Sequence, residues 1–248
     1  MLSCGGDGGR TRGAGSGDLR PVDEPPEAGR LRARPGPAEI GGAAPAGVHR
    51  LDLAGGTALL YVPAGHQPDR PSPLAVMFHG AGGTADDGLA LLRPLADEAG
   101  LMLLAPDSQG RTWDLLLDGY GPDAALVDDA LEEVFGNYAV DPAAVAVGGF
   151  SDGASYALSI GATNGDLFTH VLAFSPGFWA PASTRGSPSF FVTHGTDDTV
   201  LPIASTSRRL VPALKRTGYE VSYHEFDGGH VVPGDLAAAA LVWFLRQG

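Results

Sequence analysis

The chain has 248 residues, 44% of them hydrophobic, and a formal net charge of −13. That supplies apolar surface for one sizeable α/β domain; the acidic excess lies after residue 47, since six arginines balance six acids before it, and excludes nucleic acid as a partner. No run approaches the roughly 18–20 apolar residues of a membrane helix, and the single cysteine, Cys4, excludes an internal disulfide framework and a Cys/His zinc cluster.

Residues 1–47 are rich in Gly, Pro and Arg and show no apolar period, so they read as a disordered leader or tether. Within them "MLSCGG" resembles the end of a bacterial lipoprotein signal, in which Leu and small residues precede a lipidated cysteine and a Gly/Ser-rich tether follows. The charged and apolar segments that come before such a cysteine are not in the sequence. The expectation is therefore two-way: an envelope lipoprotein anchored at Cys4, or a secreted protein, if the start lies upstream, and a cytoplasmic protein otherwise.

From residue 48 to 248 apolar runs alternate with amphipathic segments, the mark of a sheet with helices on both faces. "VHRLDL" and "TALLYVP" form an opening hairpin with Gly55 and Gly56 at its turn. "PLAVMFHG" is a buried strand ending in a glycine-bearing loop, and "DDGLALLRPLADEAG" a helix closed by Gly100. "LMLLAPD" is a strand; "GPDAALVDDALEEVFGNY" is a helix entered through Pro122, with Leu126, Ala130 and Val134 on its inner face. "AAVAVGGF", "HVLAFSP" and "PSFFVTHG" are strands, the first followed by a helix over "SDGASYALSIGAT". The last two are joined by a segment too short for a large lid. A helix over "STSRRLVPALKRTG", a strand over "YEVSYHEFDGG" and a closing helix over "VPGDLAAAALVWFLRQ" complete the pattern. The fold class expected is α/β: a mostly parallel sheet of about eight strands.

Gly149-Phe150-Ser151-Asp152-Gly153 matches G-x-S-x-G between a strand and a helix, the context that motif requires. A sharp strand-to-helix turn holds the serine in a strained conformation, and side chains two positions away on either side would collide. The turn also sets a helix N-terminus, with unpaired N–H groups, beneath developing negative charge. A serine hydroxyl needs a histidine to take its proton, and the histidine a carboxylate to fix its tautomer. Past the strand "FFVTHG" come Asp197 and Asp198, and past the last strand "DGGH" supplies His230, giving the order Ser, Asp, His. His79 and His194 each precede a glycine at a strand end and read as loop braces, while His224 lies mid-strand. No His/carboxylate set has metal-ligand spacing, so no metal and no cofactor are expected.

The strings "FHGAGG", "PDSQGRTWD", "GFSDGASYAL", "HGTDDTVLP" and "GGH", over about residues 50–248, resemble an α/β-hydrolase of the carboxylesterase/phospholipase type, related to dienelactone-hydrolase and polyester-depolymerase esterases. In those enzymes His-Gly-Thr-x-Asp carries the triad acid last, so the resemblance implies Asp198 rather than Asp197. It implies an oxyanion hole made by the amides of Ala81 and Asp152. It also brings the "DSQGRTWDLLLDGYGPD" loop toward an acyl site, with Trp113 as one wall and Phe178 and Trp179 as the other. The function implied is a serine carboxylic-ester hydrolase for short-chain or accessible esters, small-molecule or polymeric. The alternatives are a polyester (polyhydroxyalkanoate or aromatic) or feruloyl-type esterase, a lysophospholipase or thioesterase, and a catalytically silent envelope binding protein.

Overall fold

The computed structural model describes residues 28–36, 45–117 and 119–246. Eight strands form one sheet in the order β1-β2-β4-β3-β5-β6-β7-β8. They are β1 (Gly47–Leu53), β2 (Gly56–Val62), β3 (Ser72–Phe78), β4 (Met102–Pro106), β5 (Val140–Phe150), β6 (His170–Phe174), β7 (Ser189–Gly195) and β8 (Val221–Phe226). The hairpin β1-β2 and the β2-β4 pair are antiparallel, whereas every pairing from β4 to β8 is parallel. The central strands read as near-continuous apolar runs because both their faces are covered; in β4 and β6 every residue is buried.

One face packs on α3 (Pro122–Asn137), α4 (Asp152–Thr163) and α5 (Ser207–Arg216), the other on α1 (Ala85–Ala90), α2 (Arg93–Ala99) and α6 (Gly234–Arg246). Leu126, Ala130 and Val134 are buried on the inner side of α3, where their fourfold spacing puts them. The expected single helix over 86–100 is two. Pro94 sits in the first turn of α2 and lacks the N–H that would continue α1, so the chain breaks at Leu91 and Leu92 before Gly100 closes α2 in the left-handed conformation. No helix among the described residues is long and apolar enough to cross a membrane.

The expected structureless leader is corrected over residues 28–36, which dock on the body as a strap. Leu31 is 2% exposed and joins the core under α3 and α4. The amides of Arg32 and Ala33 donate to Asp128 Oδ1 (2.7 and 2.8 Å), and that of Leu31 to Asn164 Oδ1 (2.9 Å). Arg30 and Arg34 both bind the Asp166 carboxylate (2.7 Å each). Buried polar groups of the body are thus satisfied by strap backbone, which supplies the order that composition hid. Cys4 lies outside the described residues.

Candidate active site

β5 ends at Phe150, and the chain turns at once into α4. Ser151 sits in that turn with φ 57° and ψ −119°, a conformation strained for a side-chain-bearing residue. The flanking glycines have a measurable reason. A Cβ on Gly149 would lie 2.6 Å from Phe78 O, and one on Gly153 2.4 Å from both Phe78 O and His79 O. Neighbouring backbone therefore enforces the spacing read in the sequence.

The structure brings Ser151, His230 and Asp198 together. The Ser151 hydroxyl donates to His230 Nε2 (2.8 Å), and His230 Nδ1–H donates to Asp198 Oδ2 (2.6 Å). The other carboxylate oxygen accepts the amides of Val200 (2.9 Å) and Leu201 (2.8 Å). Burial opposes the charge of Asp198, yet the Leu201 amide, His230 and the Val200 amide outweigh it and hold the carboxyl below its ordinary value. Asp197 is exposed, and its amide donates to Gly228 O (2.9 Å). The Phe150 ring packs on the His230 imidazole, with centroids 4.6 Å apart.

The loop after β3 abuts the serine: a Cβ on Gly80 would lie 3.4 Å from Ser151 Cβ. Neither candidate oxyanion amide is spent on another acceptor among the described residues. Asp152 opens α4, where an amide has no partner within the helix. In the Ala81 loop the bonds are made by its neighbours, Gly82 N to Arg111 O (2.7 Å) and Gly83 N to Gly80 O (3.0 Å). His79 braces this loop. Its Nδ1 donates to Gly80 O (2.8 Å) and its Nε2 accepts the Ser108 amide (3.1 Å). Thr112 donates to the Asp152 side chain (2.8 Å).

Trp113 is not a pocket wall. It is 0% exposed, stacked on Tyr156 and tilted against Phe78, and its Nε1–H donates to His79 O (2.9 Å). Its contact is with the brace of the Ala81 loop, which an irregular-looking sequence segment did not betray. Phe178 is half-buried beside the site, its amide donating to Ser155 Oγ (3.3 Å) one helical turn after Ser151. Trp179 turns to Tyr219 and the core, and no contact brings it to the serine. Sequence reasoning missed the tie from Thr112, and it missed a contact between His194 Nε2 and Asp198 Oδ2 at 3.2 Å.

Residues 124–241 match the family model described as phospholipase/carboxylesterase. No curated protein matches the chain. Among solved structures the fold resembles TT1662 from Thermus thermophilus (25% identity, TM-score 0.58, covering 80% of this chain and 96% of that one). It also resembles a phospholipase/carboxylesterase from Dyadobacter fermentans (23%, TM-score 0.56, covering 76% and 95%) and esterase PE8 (22%, TM-score 0.62, covering 83% and 100%). The fold is that of the α/β-hydrolases, and the match over residues 124–241 supports a carboxylic ester hydrolase of the phospholipase/carboxylesterase type.

Proposed function

We propose that the chain hydrolyses esters through Ser151 as nucleophile, His230 as general base and acid, and Asp198 as the carboxylate that orients His230. The observation that carries this reading is the continuous chain of hydrogen bonds from Ser151 Oγ through His230 to Asp198 Oδ2, at 2.8 and 2.6 Å. Ser151 Oγ attacks the ester carbonyl while its proton passes to His230 Nε2. The amides of Ala81 and Asp152 hold the oxyanion, an effect worth roughly 3–4 kcal/mol per donor. Collapse of the tetrahedral adduct breaks the C–O bond, and the alcohol leaves with the proton from His230. Water, deprotonated by His230, then attacks the acyl-enzyme and releases the acid.

The substrates proposed are short-chain or otherwise accessible esters. Residues 175–188 run directly from β6 to β7 with no inserted cap, and Val200 and Val231, neighbours of the Asp198 and His230 loops, are 64% and 51% exposed, giving an open, apolar surround. Phe178 is retained as a pocket residue. With Trp113 buried, that side chain lends no support to the polyester alternative.

The test is hydrolysis of p-nitrophenyl esters from acetate to palmitate by wild type and Ser151→Ala, with fluorophosphonate labelling of both. Activity and labelling confined to wild type, highest on short chains, are expected. Labelling or turnover that survives Ser151→Ala would refute the nucleophile. A steep rise above the critical micelle concentration of a long-chain ester would refute the open site.

A further inference from the structure

Asp198 is touched by two histidines. Oδ2 receives His230 Nδ1 at 2.6 Å and also lies 3.2 Å from Nε2 of His194, at the end of β7, with both side chains of that second pair fully buried. His194 Nε2 faces Leu201 O as well, at 2.8 Å, and its Nδ1 lies 2.7 Å from Ser207 Oγ at the start of α5. Both neighbours of Nε2 are acceptors, so Nε2 carries the hydrogen. Burial disfavours the imidazolium and moves His194 below the ordinary histidine value. In the neutral ring Nδ1 is then an acceptor, and the Ser207 hydroxyl donates to it. The Nε2–H that bonds Leu201 O thus also lies close to the carboxylate that orients His230, at 3.2 Å from Oδ2.

We infer that His194, its tautomer fixed by Ser207, is a positioning residue that tunes and tethers Asp198 through the same carboxylate oxygen that His230 uses. The inference rests on the proposed Ser151-His230-Asp198 triad. A neutral donor on Oδ2 takes up part of the negative charge that His230 would otherwise see. It also ties the loop of residues 195–201 to the end of β7 and to α5. The ionisable groups around the ring are Asp198 and His230 on their loops and Glu225, paired across from His194 on β8 and bound by Arg208 of α5 at 2.7 Å. The Arg208–Glu225 pair is already satisfied, and His230 touches Asp198 on the same oxygen. Losing the His194 donor therefore leaves more charge on Asp198 and makes His230 a stronger base.

Two measurements test this. In wild type, the imidazole nitrogen resonances are followed from pH 5 to 8. His194 is expected to show the neutral Nε2–H pattern and to protonate only below the ordinary histidine range, and either an Nδ1–H pattern or an ordinary histidine titration overturns the inference. In variants, kcat/KM is followed against pH for His194→Phe, which fills the space without a donor, and His194→Gln, which keeps a donor at the Nε2 position. His194→Phe should move the acid limb to higher pH by roughly half a unit or more and lower kcat about tenfold with little change in KM. His194→Gln should restore both toward wild type. An acid limb that stays in place in His194→Phe while only amplitude falls assigns His194 to packing and overturns the inference. If His194→Phe does not fold, the wild-type resonances still decide. Failure of the parent reading is separate: it shows as activity persisting in Ser151→Ala, whatever His194 does.

Discussion

Replacing Asp198 by asparagine removes one charge and almost no volume, so the hydrogen bonds around that side chain govern the effect. The carboxylate receives donors at both oxygens: two amides at 2.8 and 2.9 Å on Oδ1, and His230 at 2.6 Å on Oδ2, from which His194 Nε2 also lies 3.2 Å. An asparagine can place its carbonyl on only one side. Set toward the histidines, its NH2 would face two amide donors, leaving buried groups unsatisfied at about 1–3 kcal/mol each. Set toward the amides, both backbone bonds survive, and the NH2 faces His230 Nδ1, whose tautomer then flips. The second arrangement costs less, since His194 keeps Leu201 O as an acceptor. In it His230 Nε2 carries the hydrogen and points a donor at Ser151, so it cannot accept the serine proton. The expected loss in kcat is about 10⁴-fold, or about 5.5 kcal/mol, the size seen when a triad histidine is held in the wrong tautomer. Steady-state hydrolysis of p-nitrophenyl butyrate by Asp198→Asn and Asp197→Asn measures it, with Asp197→Asn staying within a few fold of wild type. Asp198→Asn above a tenth of wild-type kcat, or Asp197→Asn as the more damaged enzyme, refutes the assignment.

Gly153→Ala puts a methyl 2.4 Å from the carbonyls of Phe78 and His79, backbone that carries the Ala81 loop. It should cost about 1–3 kcal/mol in urea unfolding from overpacking and roughly 100-fold in kcat from displaced donors; Gly136→Ala, with nothing among the described residues within 4 Å of its Cβ, should instead stabilise α3 by about 0.5–1 kcal/mol. Leu31→Ala should cost about 2–5 kcal/mol, whereas Arg32→Ala, whose side chain is 85% exposed, should change stability by less than about 1 kcal/mol; equal effects would deny the strap its packing role. Thermal melts should fall on acidification in two stages. His66 and His194, lowered by burial, bind protons more readily unfolded, so stability complete above the ordinary histidine value of 6.5 is lost as pH falls below it and through the folded values. Asp166, held down by Arg30 and, against its partial burial, also by Arg34, and Asp198 with its donors, add a loss below the carboxylate value of 3.8. A melting temperature flat from pH 7 to 5 would contradict the first stage.

The parts of the site that were legible in the sequence are those set by local steric rules. The Gly149-Ser151-Gly153 spacing answers to backbone one strand away, and the Asp198 and His230 loops come after strand ends whose apolar runs announce them. What was not legible depends on partners distant in the chain. Trp113 stands in a polar, glycine-rich stretch and is buried by Phe78 of β3 and Tyr156 of α4. Leu31 is a lone apolar residue among arginines with no period to mark it, and its segment is ordered by Asp128 and Asn164, which look like ordinary surface residues of helices. His194 was read as a loop brace, which its bond to Leu201 O supports, but its second acceptor emerges only when β7, α5 and the Asp198 loop close on one another.

Helix α4 joins these separate features. Its first residue lies beneath the serine and its C-cap, Asn164, binds the strap through Leu31 N and Gly29 O. Twelve residues at about 1.5 Å each put those ends about 18 Å apart. Between them Ser155, Ser159 and Thr163 each donate to the carbonyl four residues back, and the hydroxyls of Ser155 and Ser159 accept the amides of Gly177 and Ala180. The segment that presents Phe178 is thus laid along the helix from the serine outward. The strap reaches the Ala81 loop by a second route, since Gly29 lies on the Tyr120 ring, Tyr120 on Tyr156, and Tyr156 on Trp113, which holds His79 O. Three packed rings lie on that route, while the contacts of Gly149 and Gly153 fix the serine directly. Damage to the strap should therefore lower stability first, and activity only as far as the ring stack loosens the His79 brace.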